Sequence, residues 1–464
     1  MSNTSSNKHE ETHNSDTLAD ETGLGGDVHH PITEVPPTHH NEQELPKSRK
    51  WLPITIIVGF LAVFAIIGLA VGLTRESDVD KDEDMTAIRL SKGTWIPVGK
   101  AVVPELDVDE LTQQDMTPFQ FWNFDTDGEH LVVADTSAGD YTSQVRWYAF
   151  QEGEWMHQTT LPLGDAHPST HPVVAVAANT LVVADANSVD LHPDLEDVID
   201  TNNGLVSIYQ LGEDATFNIK FQASAGDMWG TTVAMDKTAT YLAVGTPLAS
   251  ELDTDLSHTA ATGVVHVYNL KKLTLESVGR PLYGPQFLAS LGGAGLALSG
   301  DGKVLAATAA GQVWIWQWNT APEDWSQVSS LGPGVGNQVA LNDNGTLLAH
   351  TTFNNKVVVY RYICQNPHNC GWDRIGVFAG SFVTLHGNNA LMAIGTKEKL
   401  EKEDPQEEDE YKYTIQVYEF DGDEWHRMGS GIDGRSAEFM DDKHILVQQD
   451  TTGVIQTWQW AGVA

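Results

Sequence analysis

Apolar and polar positions alternate in the same way at seven places along the chain: "SQVRWYAF" (143–150), "GLVSIYQL" (204–211), "GVVHVYNL" (263–270), "GQVWIWQW" (311–318), "NKVVVYRY" (355–362), "YTIQVYEF" (413–420) and "GVIQTWQW" (453–460). The sixth position of every copy is Tyr or Trp, the third is Val or Ile, and the last is Leu or an aromatic residue. A period of two filled with β-branched and aromatic residues predicts a strand with two packed faces. Another apolar run precedes each copy: "LVVAD" at 131 and again at 181, "LAVGT" at 242, "LAATA" at 305, "LLAHT" at 347, "MAIGT" at 392 and "LVQQD" at 446. A further strand lies before those, as in "TTVAM" at 231, "GLALS" at 295 and "NQVAL" at 337. The turns between them carry the hairpin dipeptides of "DTDGEH", "SGDGKV" and "NDNGTL".

Downstream of six copies comes a fourth segment: "WMHQT" at 155, "FNIKF" at 217, "LESVG" at 275, "WSQVS" at 325, "WDRIG" at 372 and "WHRMG" at 425. Four antiparallel strands repeated seven times predict an all-β fold, a seven-bladed β-propeller of four-stranded blades over residues 93–464. The seventh unit runs out before its fourth strand, and an unclaimed "WIPVG" at 95–99 precedes the first. That strand is expected to complete the last blade, closing the ring and removing open sheet edges. Trp314, Trp316 and Trp318 fall on one face of their strand and are expected to wedge one blade against its neighbour.

The pattern is different before residue 93. Residues 1–50 are polar, with hardly an aromatic, and predict a disordered tail. Residues 51–74 contain 22 consecutive uncharged residues, from Leu52 to Leu73. At ~1.5 Å per helical residue they reach about 33 Å, enough for one transmembrane helix. Lys47, Arg49 and Lys50 lie before this span, and the acid-rich linker at 75–92 lies after it. The positive-inside rule therefore predicts a type II protein with a cytosolic N-terminus and an extracellular or lumenal propeller. Gly68 and Gly72 stand one turn apart in the span, a spacing that permits helix pairing into a homodimer.

Charge narrows the choice of partner. The whole chain carries a formal net charge of −38, of which −34 lies from Glu76 onward. Such a field argues against nucleic acid. Much of it sits between the second and third strands of the longer units, as in Asp190, Asp194, Glu196, Asp197 and Asp200, and in Asp253 and Asp255. These residues read either as solvated loops or as a face that binds a basic partner or divalent cations. In an oxidising lumen the two cysteines, Cys364 and Cys370 in "CQNPHNCGW", predict a local disulfide. Asn344, in "NGT", is an N-glycosylation acceptor on a predicted hairpin turn. His29, His30, His39 and His40 offer the tail imidazoles for Zn²⁺ or Cu²⁺, without a fixed geometry to hold the ion.

The fourth unit, "LALSGDGKVLAATAAGQVWIWQW", resembles a WD-repeat blade, and the longer units resemble the Phe-Gly/Gly-Ala-Pro repeats of integrin-α-type propellers. Both resemblances imply a propeller, over about residues 95–464. No unit has the Gly-His and Trp-Asp pair of true WD repeats, and none has the full Asp-x-Asp-x-Asp-Gly calcium loop of the integrin type. "FDTDGEH" comes nearest, with Asp125 and Asp127 as two hard ligands for Ca²⁺ where six to eight are needed, or as parts of an ordinary turn. No Ser has Gly at both flanking second positions, so the nucleophile elbow of a hydrolase is missing. The expectation is a non-enzymatic recognition, adhesion or scaffold protein that needs no cofactor and binds a protein or glycan ligand. The alternative is a propeller enzyme acting on glycans or peptides in the central channel.

Overall fold

The strands expected from the alternating pattern pair into seven separate sheets. The structure, a computed structural model, describes residues 89–103, 123–136, 143–162, 172–186, 204–212, 216–222, 228–249, 262–271, 276–286, 289–366, 369–387, 390–400, 410–449 and 453–462. All of them fall in the unit from Gly72 to Ala464. The predicted tail, the predicted membrane helix and most of the acidic linker lie outside the described residues. Among the described residues no helix is long and apolar enough to cross a membrane.

Each sheet is an antiparallel meander. Blade 1 is built from Asn123–Thr126, His130–Thr136, Ser143–Gln151 and Glu154–Pro162, in that order from the inside outward. The inner strands of blades 2 to 7 are Val173–Ala177, Thr232–Met235, Leu296–Leu298, Val335–Leu341, Phe382–His386 and Ser436–Phe439. Each inner strand lies beside that of the next blade, and the seventh lies beside the first. The ring is therefore closed.

Closure is made as the sequence predicts. Gly93–Val102 pairs antiparallel with Ile455–Gly462 as the outer strand of blade 7, with Trp95 opposite Trp460. Trp95 is buried, and its Nε1 donates to the Met428 carbonyl of blade 6 at 3.0 Å. Arg89–Ser91, which the sequence reading leaves in the linker, adds in parallel to the outer strand of blade 6, Trp425–Met428. Hydrophobic periodicity gives no sign of this three-residue strand, because Leu90 is 68% exposed.

The core is distributed among the seven contacts between blades. One apolar cluster occupies each contact; that between blades 3 and 4 joins Val265, Val267 and Leu282 to Leu305, Trp316 and Trp325. Trp314 and Trp318 pack against the same cluster, which answers the expectation for this trio of tryptophans. Burying a large apolar side chain is worth about 1.5–3 kcal/mol. The outer-strand tryptophans also bond across blades: Trp155 Nε1 donates to Thr457 Oγ1 at 3.0 Å, and Trp325 Nε1 to the Val278 carbonyl at 3.1 Å. The glycines of the DG and NG turns, Gly128, Gly302 and Gly345, all have positive φ, which explains the residue choice there.

Candidate functional site

The inner strands place side chains at matching heights around the axis. Pairing with the second strands aligns Asp125, Ala175, Ala234, Ala297, Ala340, Thr384 and Glu438 at one level. Four of the seven are alanine, and the three polar ones belong to consecutive blades 6, 7 and 1. They connect to neighbouring blades: Thr384 Oγ1 donates to Glu438 Oε2 at 3.1 Å, and the Val176 N–H of blade 2 donates to Asp125 Oδ2 at 2.7 Å. One step higher, Asn123 Oδ1 accepts from Val174 N at 2.9 Å and Gln338 Oε1 from Val383 N at 3.1 Å. These clasps satisfy backbone donors that an inner edge would otherwise leave open.

Two carboxylates thus occupy the seam where the last blade meets the first. Burial pushes Asp125 up to about 7, opposed by the backbone N–H groups of Val176 and Thr126. Burial, and then the charge of Asp125, pushes Glu438 up to about 8, opposed by the Thr384 hydroxyl. Two such groups in one poorly solvated place do not ionise together at low cost.

The sequence pairs Asp125 with Asp127, but the structure gives them different partners. Asp127 caps its own hairpin: Oδ1 accepts from the N–H of Glu129 at 3.1 Å and of His130 at 2.8 Å, and the His130 ring lies 3.1 Å from Oδ2. Burial works upward on Asp127, but these bonds and the His130 charge hold it below the usual carboxylate range. Asp441 and His444 repeat the motif on blade 7, with Asp441 Oδ1 accepting from His444 N at 2.8 Å. Among the described residues no group of three or more His, Cys, Asp and Glu is placed to hold a metal ion.

The turns between first and second strands gather at one end of the ring. Lys237 of blade 3 reaches Asp343 of blade 5 at 2.6 Å, across the blade 4 turn, whose Gly300 carbonyl accepts from Lys237 N at 3.2 Å. Asn344 is exposed at this end, and Thr346 Oγ1 donates to its Oδ1 at 2.6 Å. The opposite end carries the connections between second and third strands. In blades 1, 2, 3 and 6 the ladder stops at Thr136 opposite Ser143, Asp185 opposite Leu205, Thr246 opposite Val264 and Lys399 opposite Tyr411. Asp190, Asp194, Glu196, Asp197, Asp200, Asp253 and Asp255 belong to the segments attached there and lie outside the described residues, as do Gly68, Gly72 and the tail histidines.

Cys364 and Cys370 form a disulfide, with Cα atoms 4.0 Å apart. The sequence places them around a loop, whereas the structure places them directly opposite each other on strands Lys356–Asn366 and Asn369–Ala379 of blade 5. The Pro and Asn between them are too few residues to mark where the ladder ends.

Glu438 is the residue the sequence reading misses. The signal was available, since "SAEFM" aligned with the other inner strands puts an acid where four blades have alanine.

No family profile matches the sequence, and no curated protein matches it. Among solved structures, the chain is similar to a chain of the mitotic checkpoint complex, at 14% identity over 82% of this chain and 99% of that one, with a TM-score of 0.46. It is similar to the β-propeller domain of Cps50 (Swd1) from Myceliophteria thermophila, at 11% identity over 73% and 96% of the two chains, with a TM-score of 0.45. Raptor from Chaetomium thermophilum matches at 11% identity over 80% of this chain and 29% of its own, with a TM-score of 0.49.

Proposed function

We propose that the chain is a single-pass type II membrane protein whose propeller, on the extracellular or lumenal side, works by non-catalytic recognition. It adheres to or scaffolds a protein or glycan ligand through the acidic loop face, and the transmembrane helix pairs through Gly68 and Gly72. The observation that carries this reading is the common origin of the long connections. The strand ladders of blades 1, 2, 3 and 6 all open at the same end of the ring, and the sequence inserted there is rich in acids. A basic partner would meet several of these segments at once, with association steered by charge and weakened by salt.

The test is capture of a binding partner by the full chain and by a variant carrying Asp194→Asn, Glu196→Gln, Asp197→Asn and Asp200→Asn. The variant should fold normally and bind more weakly, and wild-type binding should fall as salt rises. Normal binding by the variant at every salt concentration refutes the role of this loop. A calcium-dependent mode involving Asp125 and Asp127 would show as loss with chelator and recovery with Ca²⁺. Orientation is read from Asn344: a glycosidase-sensitive mass shift that disappears in Asn344→Gln supports a lumenal propeller.

One observation favours a second reading, catalysis on glycans or peptides at the centre of the ring. Asp125 and Glu438 are carboxyl groups raised to about 7 and about 8, a range suited to proton transfer. Turnover of a glycan or peptide that is lost in Glu438→Gln would support it.

A further inference from the structure

The contact between blades 4 and 5 holds an ionisable side chain at a position that is apolar in every other blade. His350 stands on the second strand of blade 5, Leu347–Thr352, two residues after Leu348, which pairs with Tyr360, the aromatic residue at the sixth position of its repeat. The same place relative to that aromatic is taken by Val133, Val183, Val244, Ala307, Ile394 and Val447 in the other six blades, and all of them are buried. His350 is as buried as they are, at 2% exposure.

The two nitrogens of its ring are in unlike surroundings. Nδ1 lies 2.8 Å from the Thr351 carbonyl, an oxygen that can only accept, so Nδ1 carries the proton and Nε2 the bare lone pair. Nε2 is buried and has no hydrogen-bond partner. The ring stacks on Tyr360, 5.7 Å between centres, and faces the apolar cluster in which Val339 and Leu348 of its own blade meet Ala306, Val313 and Ile315 of blade 4. No Asp or Glu occurs in the first three strands of either blade. On the outer strands, Glu323 and Asp324 stand at the turn of blade 4, with Asp324 3.0 Å from Arg280 of blade 3. Asp373 pairs with Arg361 on the face turned to blade 6, where Arg361 donates to the Gly422 carbonyl. The charged groups on the His350 face of blade 5 are both cations: Lys356, two residues before Val358, which pairs with His350, and Arg374, opposite Tyr360. Burial holds the imidazole below its ordinary range, with the Thr351 carbonyl working the other way.

We propose that His350 is an acid-operated release on the contact between blades 4 and 5: a proton taken up at Nε2 creates a charge and an N–H donor that nothing in the contact meets, and the blades part there to bring the ring into water. An uncompensated imidazolium among apolar side chains is costly, and hydration removes that cost. The opened contact binds the proton as ordinary imidazole does, at about 6.5, and the closed contact binds it more weakly. Closure is therefore undisturbed above pH ~6.5 and weakens below it, with the ratio of open to closed rising by up to tenfold per pH unit. Asp125 and Glu438 respond in the opposite sense, because their protons are held by the closed ring. Acid thus tightens the seam between blades 7 and 1 while it loosens the contact between blades 4 and 5. The inference is independent of what the acidic loops bind.

The test is amide hydrogen exchange of the full chain and of two variants over a range of pH. His350→Val installs the residue found at most of the equivalent positions, and His350→Gln keeps a polar side chain of similar size that takes up no proton. At each pH the wild type is divided by the variant, which cancels intrinsic exchange. For the amides of Gln312–Thr320 in blade 4 and of Val357 to Val359 in blade 5, this ratio should rise roughly tenfold between about pH 7 and about pH 5.5. For the strands of blades 1 and 2 it should stay level. If one variant folds poorly, the other carries the same comparison. The proposal is overturned if the ratio in blades 4 and 5 does not change with pH, or if it rises equally in all seven blades.

Discussion

Replacing Glu438 by Gln should change how the stability of the ring depends on pH. In the unfolded chain Glu438 and Asp125 ionise near about 4. In the folded ring they hold protons up to about 8 and about 7. The folded state therefore binds more protons than the unfolded state between those limits. The resulting stability is fully present below pH ~4, declines as pH rises, and is gone above pH ~8. Each retained proton gives a slope of about 1.4 kcal/mol per pH unit. For Glu438, from 4.5 to about 8, the ceiling is about 5 kcal/mol. Both side chains keep part of their surface open at the ring centre, so screening by water reduces the expected effect to about 2 kcal/mol. The assay is urea denaturation of the full chain and of Glu438→Gln, compared at about pH 5.5 and about pH 8.5. The two proteins should be close at the acid end, and the variant should be the more stable one at the alkaline end. Parallel stability curves for the two proteins would refute the reasoning.

Trp95→Ala removes a buried wedge and the bond to the Met428 carbonyl, and should cost about 3–5 kcal/mol in denaturant unfolding. Trp95→Phe loses the same hydrogen bond but keeps most of the packing and should cost about 1–2 kcal/mol, and equal losses for the two variants would show that the ring's packing contributes nothing beyond the bond. Cys364→Ser should lower the melting temperature modestly, by about 2 kcal/mol in stability, without preventing folding, because the ladder continues past the bridge to Asn366 opposite Asn369. Thiol titration of the native protein should find no reactive cysteine, and two would contradict the bridge.

Most of the architecture was legible because the repeated unit carries its own register. An aromatic at the sixth position and Val or Ile at the third locate each third strand, and the DG and NG turns locate the hairpins. Closure by residues 95–99 was readable as an unmatched strand at each end of the repeat. The seam carboxylates were harder to see. Asp125 drew notice through its neighbour Asp127, yet one faces the ring centre and the other closes a turn, a difference set by strand alternation and not by spacing to an ion. The Arg89–Ser91 strand and the bonds from Trp155 and Trp325 rest on contacts between residues far apart in sequence, and local pattern does not encode those. The extra pairs of blade 6, residues 396–399 against 411–414, lay hidden inside a charged stretch whose mixed Lys and Glu give no period until the register is known.

The closing strand also sets the order in which the protein can be completed during synthesis. Gln456 Nε2 donates to the Val98 carbonyl across 358 residues of chain. At roughly 5–20 residues per second, the Gly93–Val102 strand waits on the order of 20 to 70 s for its partner to be made. During that time it is an unpaired edge with Ile96 facing outward, interrupted by Pro97 and charged at Lys100, two features that discourage pairing with the wrong chain. Blades 1 to 6 can form hairpin by hairpin as they emerge, but the ring cannot shut until Ile455–Gly462 has been added. A ribosome stalled just short of Ile455–Gly462 would therefore leave a nearly finished propeller with two open edges, and a chaperone that shields strand edges would be needed most at that moment.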